Sequence, residues 1–233
     1  MNVNRIFCIG KNYADHIAEL AHLAPAGAPP APKTAASRSA KPGPPAKLKA
    51  PADEDCTVFL KPASCIVPEG RPIRLPKGRG SVHHEAELVV MLTGGDRDIP
   101  IKHALSYVAG LTLGLDLTLR DLQTELKKAG KPWELAKAFD DAAPLGDFKP
   151  YLEQNLQKLE FRCLVNGEQR QHGRTKDMLY PVARQIHILS RTWSLEPGDV
   201  IYTGTPAGVG PLKPGDEVVL ESAAIGRFRW LCE

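Results

Sequence analysis

The chain has 233 residues, 42% of them hydrophobic, and a formal net charge of +3 at pH 7. This composition supplies a sizeable core, and the small, dispersed positive charge argues against a nucleic-acid-binding protein. No run is long and apolar enough to span a bilayer, no targeting segment is recognisable, and the five cysteines form no C-x-x-C pair. We therefore expect a cytoplasmic protein with free thiols and without a nucleic-acid or membrane partner.

The first predicted elements are short and are followed by a change in composition. Residues 5–10 are typical of a strand, and residues 12–23 have helical spacing with Ile17 and Leu20 on one side. From about 24 to 52 the chain is almost entirely Ala, Pro, Lys, Gly and Ser. Such a segment cannot bury enough apolar surface to offset its ordering entropy, so we interpret it as a disordered or extended insertion. The segment before it is too short to fold alone, so residues 1–233 are predicted to form a single catalytic domain.

From Thr57 onward, strand signals dominate the sequence. The patterns predict strands near 58–60, 64–67, 86–92, 110–116, 161–165, 168–171, 200–202, 217–221 and 228–231, and helices near 101–108, 118–129 and 181–193. Asn166-Gly167 separates two of these strands and is typical of a type I′ hairpin turn. The proportions predict an α+β, β-rich fold: a mixed β-roll or sandwich with a few covering helices.

Three acidic residues lie in or beside apolar strand segments. Glu85 and Glu87 are two positions apart, so they project from the same side of a strand together with His83, and Asp116 follows in a second apolar run. Carboxylates this close repel each other unless a cation lies between them, and an all-oxygen set suits Mg²⁺ or Mn²⁺. The alternative is that these acids simply face water on half-buried strands.

Short motifs along the chain together resemble the fumarylacetoacetate hydrolase family, specifically its small single-domain members that act on acylpyruvates and oxaloacetate. Each motif is weak alone, but their order is specific. They are Gly10-Lys-Asn-Tyr-Ala-Asp-His16 with Glu19, Phe59-Leu-Lys-Pro62, His83-His-Glu-Ala-Glu87, Asp116 with Arg120-Asp-Leu-Gln123, Pro132-Trp133, Ala136-Lys137, Val165-Asn-Gly167 and Thr203-Gly-Thr-Pro-Ala-Gly-Val-Gly210.

The resemblance implies a fold, a cofactor and a reaction. It implies the fumarylacetoacetate hydrolase-type β-roll, a homodimer, and Mg²⁺ or Mn²⁺ held by Glu85, Glu87 and Asp116. A 2-keto acid would occupy open metal positions through its carboxylate and keto oxygens. The reaction implied first is hydrolysis of a 3-acylpyruvate, such as fumarylpyruvate or acetylpyruvate, to pyruvate and a carboxylic acid. Decarboxylation or tautomerisation of oxaloacetate is the alternative, and a non-catalytic metal-binding interaction protein is a third.

The resemblance also implies roles for single residues. His16 would be the general base that activates water, with Glu19 orienting its ring, and Lys137 would stabilise enolate charge. The remaining three, Arg120, Gln123 and Thr205, would bind substrate. Without the resemblance, His16 and Glu19 would be interpreted as a surface His–Glu pair and Lys137 as a solvated lysine. Arg120 and Gln123 would be an ordinary helix pair, and the segment with Thr205 a tight turn. Lys61 matches a family position, but its spacing assigns it no role.

The chain departs from the family pattern in the insertion at 24–52, which lengthens the connection between the His16–Glu19 element and the Phe59 strand. In the family this element is a lid that orders when substrate binds. Loop-closure entropy grows only logarithmically with length, so we expect the lid still to close in this chain, but more slowly or with a different specificity.

Overall fold

The computed structural model describes residues 3–23 and 51–233. The predicted insertion therefore lies outside the described residues, apart from Pro51 and Ala52. The strands are β1 (Ile6–Gly10), β2 (Thr57–Lys61), β3 (Ile66–Pro68), β4 (Val82–His84), β5 (Ala86–Leu92), β6 (Val108–Leu115), β7 (Thr118–Leu119), β8 (Ala143–Leu145), β9 (Lys149–Pro150), β10 (Glu160–Val165), β11 (Glu168–Arg174), β12 (Val200–Tyr202), β13 (Gly210–Pro211), β14 (Glu217–Ser222) and β15 (Gly226–Leu231). The α-helices are α1 (Ala14–Leu23), α2 (Ile101–Ala104), α3 (Arg120–Lys128), α4 (Glu134–Lys137) and α5 (Val182–Thr192).

The largest sheet is mixed and has the order β2-β1-β12-β5-β6-β8-β3, with β9 also paired to β6. β1 runs parallel to β12 and β3 runs parallel to β8, while the long central pair β5–β6 is antiparallel. Every residue of β5 is buried, which explains the continuous apolar run in its sequence. This central pair supplies the rigid part of the fold that carries the acidic residues.

A second, four-stranded antiparallel sheet has the order β11-β10-β14-β15, and a small third sheet has the order β13-β4-β7. β10 lies against β5 and β14 lies against β6, so the second sheet packs on the centre of the first. One hydrophobic cluster contains side chains from both sheets. Helices α2 and α5 pack together, as do α3 and α4. The predicted β-rich α+β architecture with few helices is confirmed.

Several predicted elements are confirmed, among them the first strand, the hairpin and the helix after Pro181. At the hairpin turn Asn166 and Gly167 have φ of 52° and 80°, as a type I′ turn requires. The sequence-based boundaries of two helices are wrong. The helix predicted at 118–129 begins at Arg120, because Thr118–Leu119 forms β7 and pairs with β4. The segment 101–108 is a short α-helix followed by a 3₁₀ turn, and the next strand already begins at Val108.

The segment around the two glutamates is not one strand. β4 ends at His84 and belongs to the small sheet, whereas β5 begins at Ala86 and belongs to the large sheet. Glu85 occupies the break between them and Glu87 lies inside β5. The break therefore places Glu85 where three sheets approach one another. Among the described residues, no helix is both long and apolar enough to cross a membrane.

Candidate metal and substrate site

Three carboxylates converge at the junction of the sheets. Glu85, Glu87 and Asp116 each offer one carboxylate oxygen, and these oxygens all lie within 4.8 Å of one another. The three residues are 4%, 2% and 2% exposed, respectively. Such burial rules out the alternative that these acids face water. Carboxylates cluster in a core only where cations or donors compensate their charge.

The pairing of β5 with β6 explains why residues about thirty positions apart meet here. Ala86 pairs with Leu115, so the residues flanking this pair, Glu85 and Asp116, are brought together at the ends of the two strands. The backbone N–H of Asp116 donates to the carbonyl oxygen of Glu85 at 2.8 Å. The acidic pair is thus fixed by the main chain as well as by its side chains.

Lys137, on α4, is the cation that joins two of the carboxylates. Its Nζ lies 2.7 Å from Glu85 Oε2 and 2.5 Å from Asp116 Oδ2. Burial alone would lower the pKa of Lys137, but Asp116 and Glu85 outweigh that effect and raise it. Lys137 is therefore a buried, permanently charged ammonium at the centre of the site, where the resemblance placed it.

Arg120 opens α3 and points back to the same cluster. Its guanidinium bonds to Glu85 Oε1 and donates to Gln123 Oε1 at 2.8 Å. Burial would raise the pKa of Glu85, but Lys137 and then Arg120 overcome burial and hold it well below its usual value. Arg120 and Gln123 are both buried and lie on one face of the helix, as their three-residue spacing predicts.

Glu87 has the opposite electrostatic environment. Burial first, and then Asp116 and Glu85, raise the pKa of Glu87 well above its usual value. A hydrogen bond from the backbone N–H of Gly204 acts in the opposite direction and lowers the pKa; the Gly204 nitrogen lies 2.6 Å from Glu87 Oε2. Gly204 has φ of +101°, and a Cβ there would lie 2.5 Å from Asn12 Cβ, so the close approach requires glycine.

These features test whether the residues fit a divalent cation. Asp116 Oδ1 is buried and accepts no hydrogen bond among the described residues, although Lys61 Nζ lies 2.9 Å away. Burial, and then Asp116 and Glu85, raise the pKa of Glu87, so a cation bound beside Glu87 would stabilise its charged form. The donors are all oxygens, the set that Mg²⁺ and Mn²⁺ prefer. The triad fits a hard divalent metal ion.

His16 and Glu19 form the second part of the site. His16 is 3% exposed, and its Nδ1 lies 3.2 Å from Glu19 Oε2. The Glu19 carboxylate also accepts the backbone N–H of Gly208 at 3.0 and 3.2 Å. Gly208 has φ of +97°, and a Cβ there would lie 2.1 Å from the Arg170 carbonyl oxygen. Glu19 thus fastens α1 to the glycine-rich loop and orients the imidazole at the same time.

One cleft collects these side chains. It is lined by eight of the nine site residues predicted from the sequence, together with parts of β1, α1 and α3; the eight are His16, Glu85, Glu87, Asp116, Arg120, Gln123, Lys137 and Thr205. The ninth, Glu19, lies behind His16 as its hydrogen-bond partner. His83 is not among the lining residues, and burial followed by Arg120 lowers its pKa to about 4.

Lys61 is a site residue to which the sequence assigned no role. Its side chain is fully buried, and its Nζ donates to the carbonyl oxygens of Leu117 at 3.1 Å, Ala142 at 2.7 Å and Lys137. The same ammonium lies 2.9 Å from Asp116 Oδ1. Lys61 thus ties together the segments that carry Asp116 and Lys137. The available signal was a lysine ending an otherwise apolar strand.

Gln171, on β11, was missed altogether. Its Oε1 accepts from the Ala86 backbone N–H at 3.0 Å and lies 2.9 Å from His84 Nδ1. Its Nε2 donates to Thr205 Oγ1 at 2.8 Å and to the Pro206 carbonyl oxygen at 2.9 Å. The Thr205 hydroxyl in turn donates to Ala86 O at 2.9 Å. Because the hydroxyl hydrogen of Thr205 is already donated to Ala86, a substrate carboxylate beside Thr205 needs a donor other than this hydroxyl.

Replacing Gln171 with Leu is expected to destabilise the protein by about 1–3 kcal/mol, because it leaves the buried Ala86 N–H and other polar groups unpaired. Turnover is expected to fall as well, since Ala86 lies between two of the carboxylates. Denaturant titration and steady-state kinetics measure the two effects. Gln169→Leu is the matched control, because Gln169 is exposed on the same strand. Equal losses in both variants would contradict a positioning role for Gln171.

A β-rich fold that buries an oxygen-ligand triad beside a lysine and a His–Glu pair defines a class of divalent-metal proteins that bind small molecules. Residues 5–230 match the fumarylacetoacetate (FAA) hydrolase C-terminal family. The chain belongs to the fumarylacetoacetate hydrolase family, whose members are enzymes.

Relatives with named activities cover nearly the whole chain. Oxaloacetate tautomerase YcgM of Escherichia coli K12 is 38% identical over 220 residues, which span 94% of this chain and 88% of that protein. Mitochondrial oxaloacetate tautomerase FAHD1 of Homo sapiens is 40% identical over 214 residues, 91% of this chain and 84% of that protein. The fold is also similar to a crystal structure of fumarylpyruvate hydrolase from Pseudomonas aeruginosa in complex with Mn²⁺ and pyruvate. That comparison has a TM-score of 0.81 and 32% identity, and it covers 99% of this chain and 89% of the other. The predicted divalent-metal cofactor thus has support from the triad and from a metal-containing relative.

Proposed function

We propose that this chain is a divalent-metal-dependent enzyme that removes a proton from a 2-keto acid and stabilises the resulting enolate. The observation that carries the proposal is a single cleft containing a buried carboxylate triad, a charged lysine and a neutral histidine. A metal ion held by Glu85, Glu87 and Asp116 would polarise the keto and carboxylate oxygens of the substrate.

Lys137 is the residue best placed to stabilise the oxygen that becomes negative. Two of its three ammonium hydrogens bond to Glu85 and Asp116, so the third remains for a substrate oxygen. A preorganised, buried cation needs no rearrangement when charge develops, and it acts more strongly there than in water. Arg120 and Gln123 line the same cleft and are proposed to hold a substrate carboxylate or carbonyl.

His16 is the proposed base. Burial lowers the pKa of His16 more than Glu85 and Glu19 raise it, so the ring is neutral at neutral pH. When Nδ1–H donates to Glu19, the other ring nitrogen, Nε2, carries the basic lone pair. A neutral, oriented imidazole can take a proton from carbon or from water.

Keto–enol tautomerisation of oxaloacetate is the reaction that we propose first. In this reaction His16 would take the proton from the carbon beside the keto group, and the enolate oxygen would be protonated to give the enol. The named relatives with 38% and 40% identity are oxaloacetate tautomerases, which supports this choice. Decarboxylation of oxaloacetate would pass through the same enolate.

Hydrolysis of an acylpyruvate, the reaction expected from the sequence, is the second candidate. Here His16 would deprotonate water for attack on the distal carbonyl, and pyruvate enolate would leave. The similarity to fumarylpyruvate hydrolase supports it, and the same lysine would stabilise the leaving enolate. The homodimer remains a prediction from the resemblance, and the cytoplasmic location remains a prediction from the composition of the chain.

Removing the metal is expected to abolish turnover. The protein is treated with a chelator and then supplied with Mg²⁺ or Mn²⁺, and the enol absorbance of oxaloacetate is followed along with CO₂ and pyruvate release. The same samples are tested with acetylpyruvate and fumarylpyruvate. Loss of enol absorbance without pyruvate supports tautomerisation, pyruvate with CO₂ supports decarboxylation, and pyruvate with a new carboxylic acid supports hydrolysis.

Glu87→Gln is the matched control for this experiment, because free metal ions also promote reactions of oxaloacetate. The raised pKa of Glu87 makes an isosteric neutral amide easy to accommodate in the folded protein. The variant should therefore fold while it lacks one ligand. Tight metal binding by the wild-type chain with no turnover of any of these substrates would contradict the proposal and support the non-catalytic metal-binding alternative.

A further inference from the structure

The cations of the cleft fall into two groups. Lys137 and Arg120 lie in its interior, Lys61 lies behind the cleft wall, and each of the three contacts a carboxylate of the triad. Lys127 and Lys11 also line the cleft, but their side chains are exposed at its opening. Within residues 3–23 and 51–233, neither of these two lysines pairs with a carboxylate. The opening therefore carries positive charge that the chemistry at the triad does not use.

Lys127 is directed along the wall of the cleft by its place on α3 and by an aromatic contact. It follows Arg120 by seven residues and Gln123 by four, so the three side chains share one helix face. Its Nζ lies 4.8 Å from the centroid of the Trp133 ring, a cation–π distance. Lys127 is thus held beside the residues proposed to contact substrate.

The electrostatic surroundings of Lys127 favour an anion. Although the side chain is exposed overall, partial desolvation of its ammonium by the surrounding protein lowers the pKa of Lys127 to about 8. Arg120, Lys137 and Lys11 act in the same direction, and Glu85 opposes them. At pH 7 the ammonium remains mostly protonated and is repelled by its neighbours. A negatively charged group at the opening would relieve this repulsion.

A 2-keto acid bound at the triad would use its keto oxygen and the adjacent carboxylate there. A second anionic group at the far end of the molecule would then point toward the opening. Resting on the proposed function, we propose that Lys127, assisted by Lys11, binds the distal carboxylate of a dicarboxylic 2-keto acid. Acids with an uncharged far end, such as acetylpyruvate, would lack this contact.

The contact also bears on which reaction a bound oxaloacetate undergoes. An ion-paired distal carboxylate repels the enolate charge less, so loss of the proton from the neighbouring carbon becomes easier. Decarboxylation instead breaks the C–C bond to the distal carboxylate: the electron pair of that bond stays on the carbon beside the keto group and becomes the enolate. A lone pair of the carboxylate oxygen forms the second C=O bond, and neutral CO₂ leaves, which discards the ion pair. Lys127 is therefore expected to favour proton transfer over decarboxylation.

Lys127→Met is the kinetic test. KM for oxaloacetate is expected to rise roughly ten- to a hundredfold, the effect of losing one charge-assisted contact, and the fraction of turnovers that release CO₂ is expected to increase. Lys127→Arg should retain most of the wild-type KM. Lys128→Met is the matched control, since Lys128 is the next residue on α3, is exposed and does not line the cleft.

A binding experiment separates this inference from the proposed function. Calorimetry with Mg²⁺ compares N-oxalylglycine, an unreactive 2-keto acid mimic with a distal carboxylate, with N-methyloxamate, which lacks that group. Wild-type protein is expected to bind the first more tightly, and Lys127→Met should remove the difference without weakening N-methyloxamate. Absence of turnover in the wild-type chain would defeat the proposed function alone. Equal binding of both compounds, or equal effects in the Lys127 and Lys128 variants, would overturn the role of Lys127.

Discussion

Replacing His16 with Ala is expected to lower kcat by about a hundred- to ten-thousandfold, the usual contribution of a positioned general base. The reason is geometric. His16 is buried at the cleft and its ring is oriented by Glu19 at 3.2 Å, so no other base of the described chain is equally placed. The triad is left intact, so titration with Mn²⁺ is expected to give the wild-type affinity. A parallel loss of metal binding would instead assign His16 to the metal site.

The pH profile gives this prediction a second measurable result. The neutral form of His16 is the active one, so activity falls as the pH drops through the pKa of the ring. Burial lowers that pKa below its ordinary value of 6.5, so the midpoint of the acid limb of kcat/KM is expected below pH 6.5. This limb should disappear from the residual activity of His16→Ala.

His172→Ala is the control for the His16 variant. His172 also faces a carboxylate, with Nε2 3.0 Å from Glu160 Oε2, but Glu160 is exposed and the pair lies outside the cleft. Its removal should leave both kcat and the pH profile unchanged. Similar losses in the two variants would mean that the effect of His16→Ala does not come from a base positioned at the cleft.

The sequence was sufficient to predict that Glu85 and Glu87 lie close together, because side-chain alternation in an extended segment is local information, although the chain breaks at Glu85 between two strands. Glu85 and Glu87 are two residues apart, and that spacing alone places both on one side of an extended segment. Asp116 was grouped with them as a third acid in an apolar run, but the β5–β6 register that brings it near is a property of the folded chain. Lys137 was connected with the site only through the resemblance, because its short helix has little sequence signature.

The features that were missed all depend on contacts between distant segments. Gln171 is an unremarkable hairpin residue until the second sheet packs against β5 and brings its amide to Ala86. The start of α3 was misplaced for the same reason, since pairing with β4 draws Thr118 into a strand. Local patterns therefore predicted which residues carry the chemistry better than which residues hold them in place.

Lys61 is the residue whose contacts between distant segments are expected to contribute most to the free energy of unfolding. Lys61→Met should destabilise the protein by about 3–5 kcal/mol, the cost of removing one partner from a buried ion pair. The variant leaves the carbonyl oxygens of Leu117, Ala142 and Lys137 without this donor and removes the cation beside Asp116. Such a loss is a large fraction of the roughly 5–15 kcal/mol that stabilises a typical domain. Urea denaturation measures it, with the exposed Lys128→Met expected to stay within about 0.5 kcal/mol of wild type.

A double-mutant cycle distinguishes the ion pair from simple loss of packing at Lys61. If uncompensated negative charge is the main cost, Lys61→Met combined with Asp116→Asn should be more stable than Lys61→Met alone, because the charge that Lys61 compensated is removed as well. A mere packing defect predicts that the two losses add.

Mg²⁺ supplies a further comparison, since a bound cation would offset the missing ammonium. It should therefore raise the melting temperature of Lys61→Met, but not that of the double variant, which lacks a ligand. Additive losses together with equal responses to Mg²⁺ would show that Lys61 fills space rather than balancing the charge of the triad.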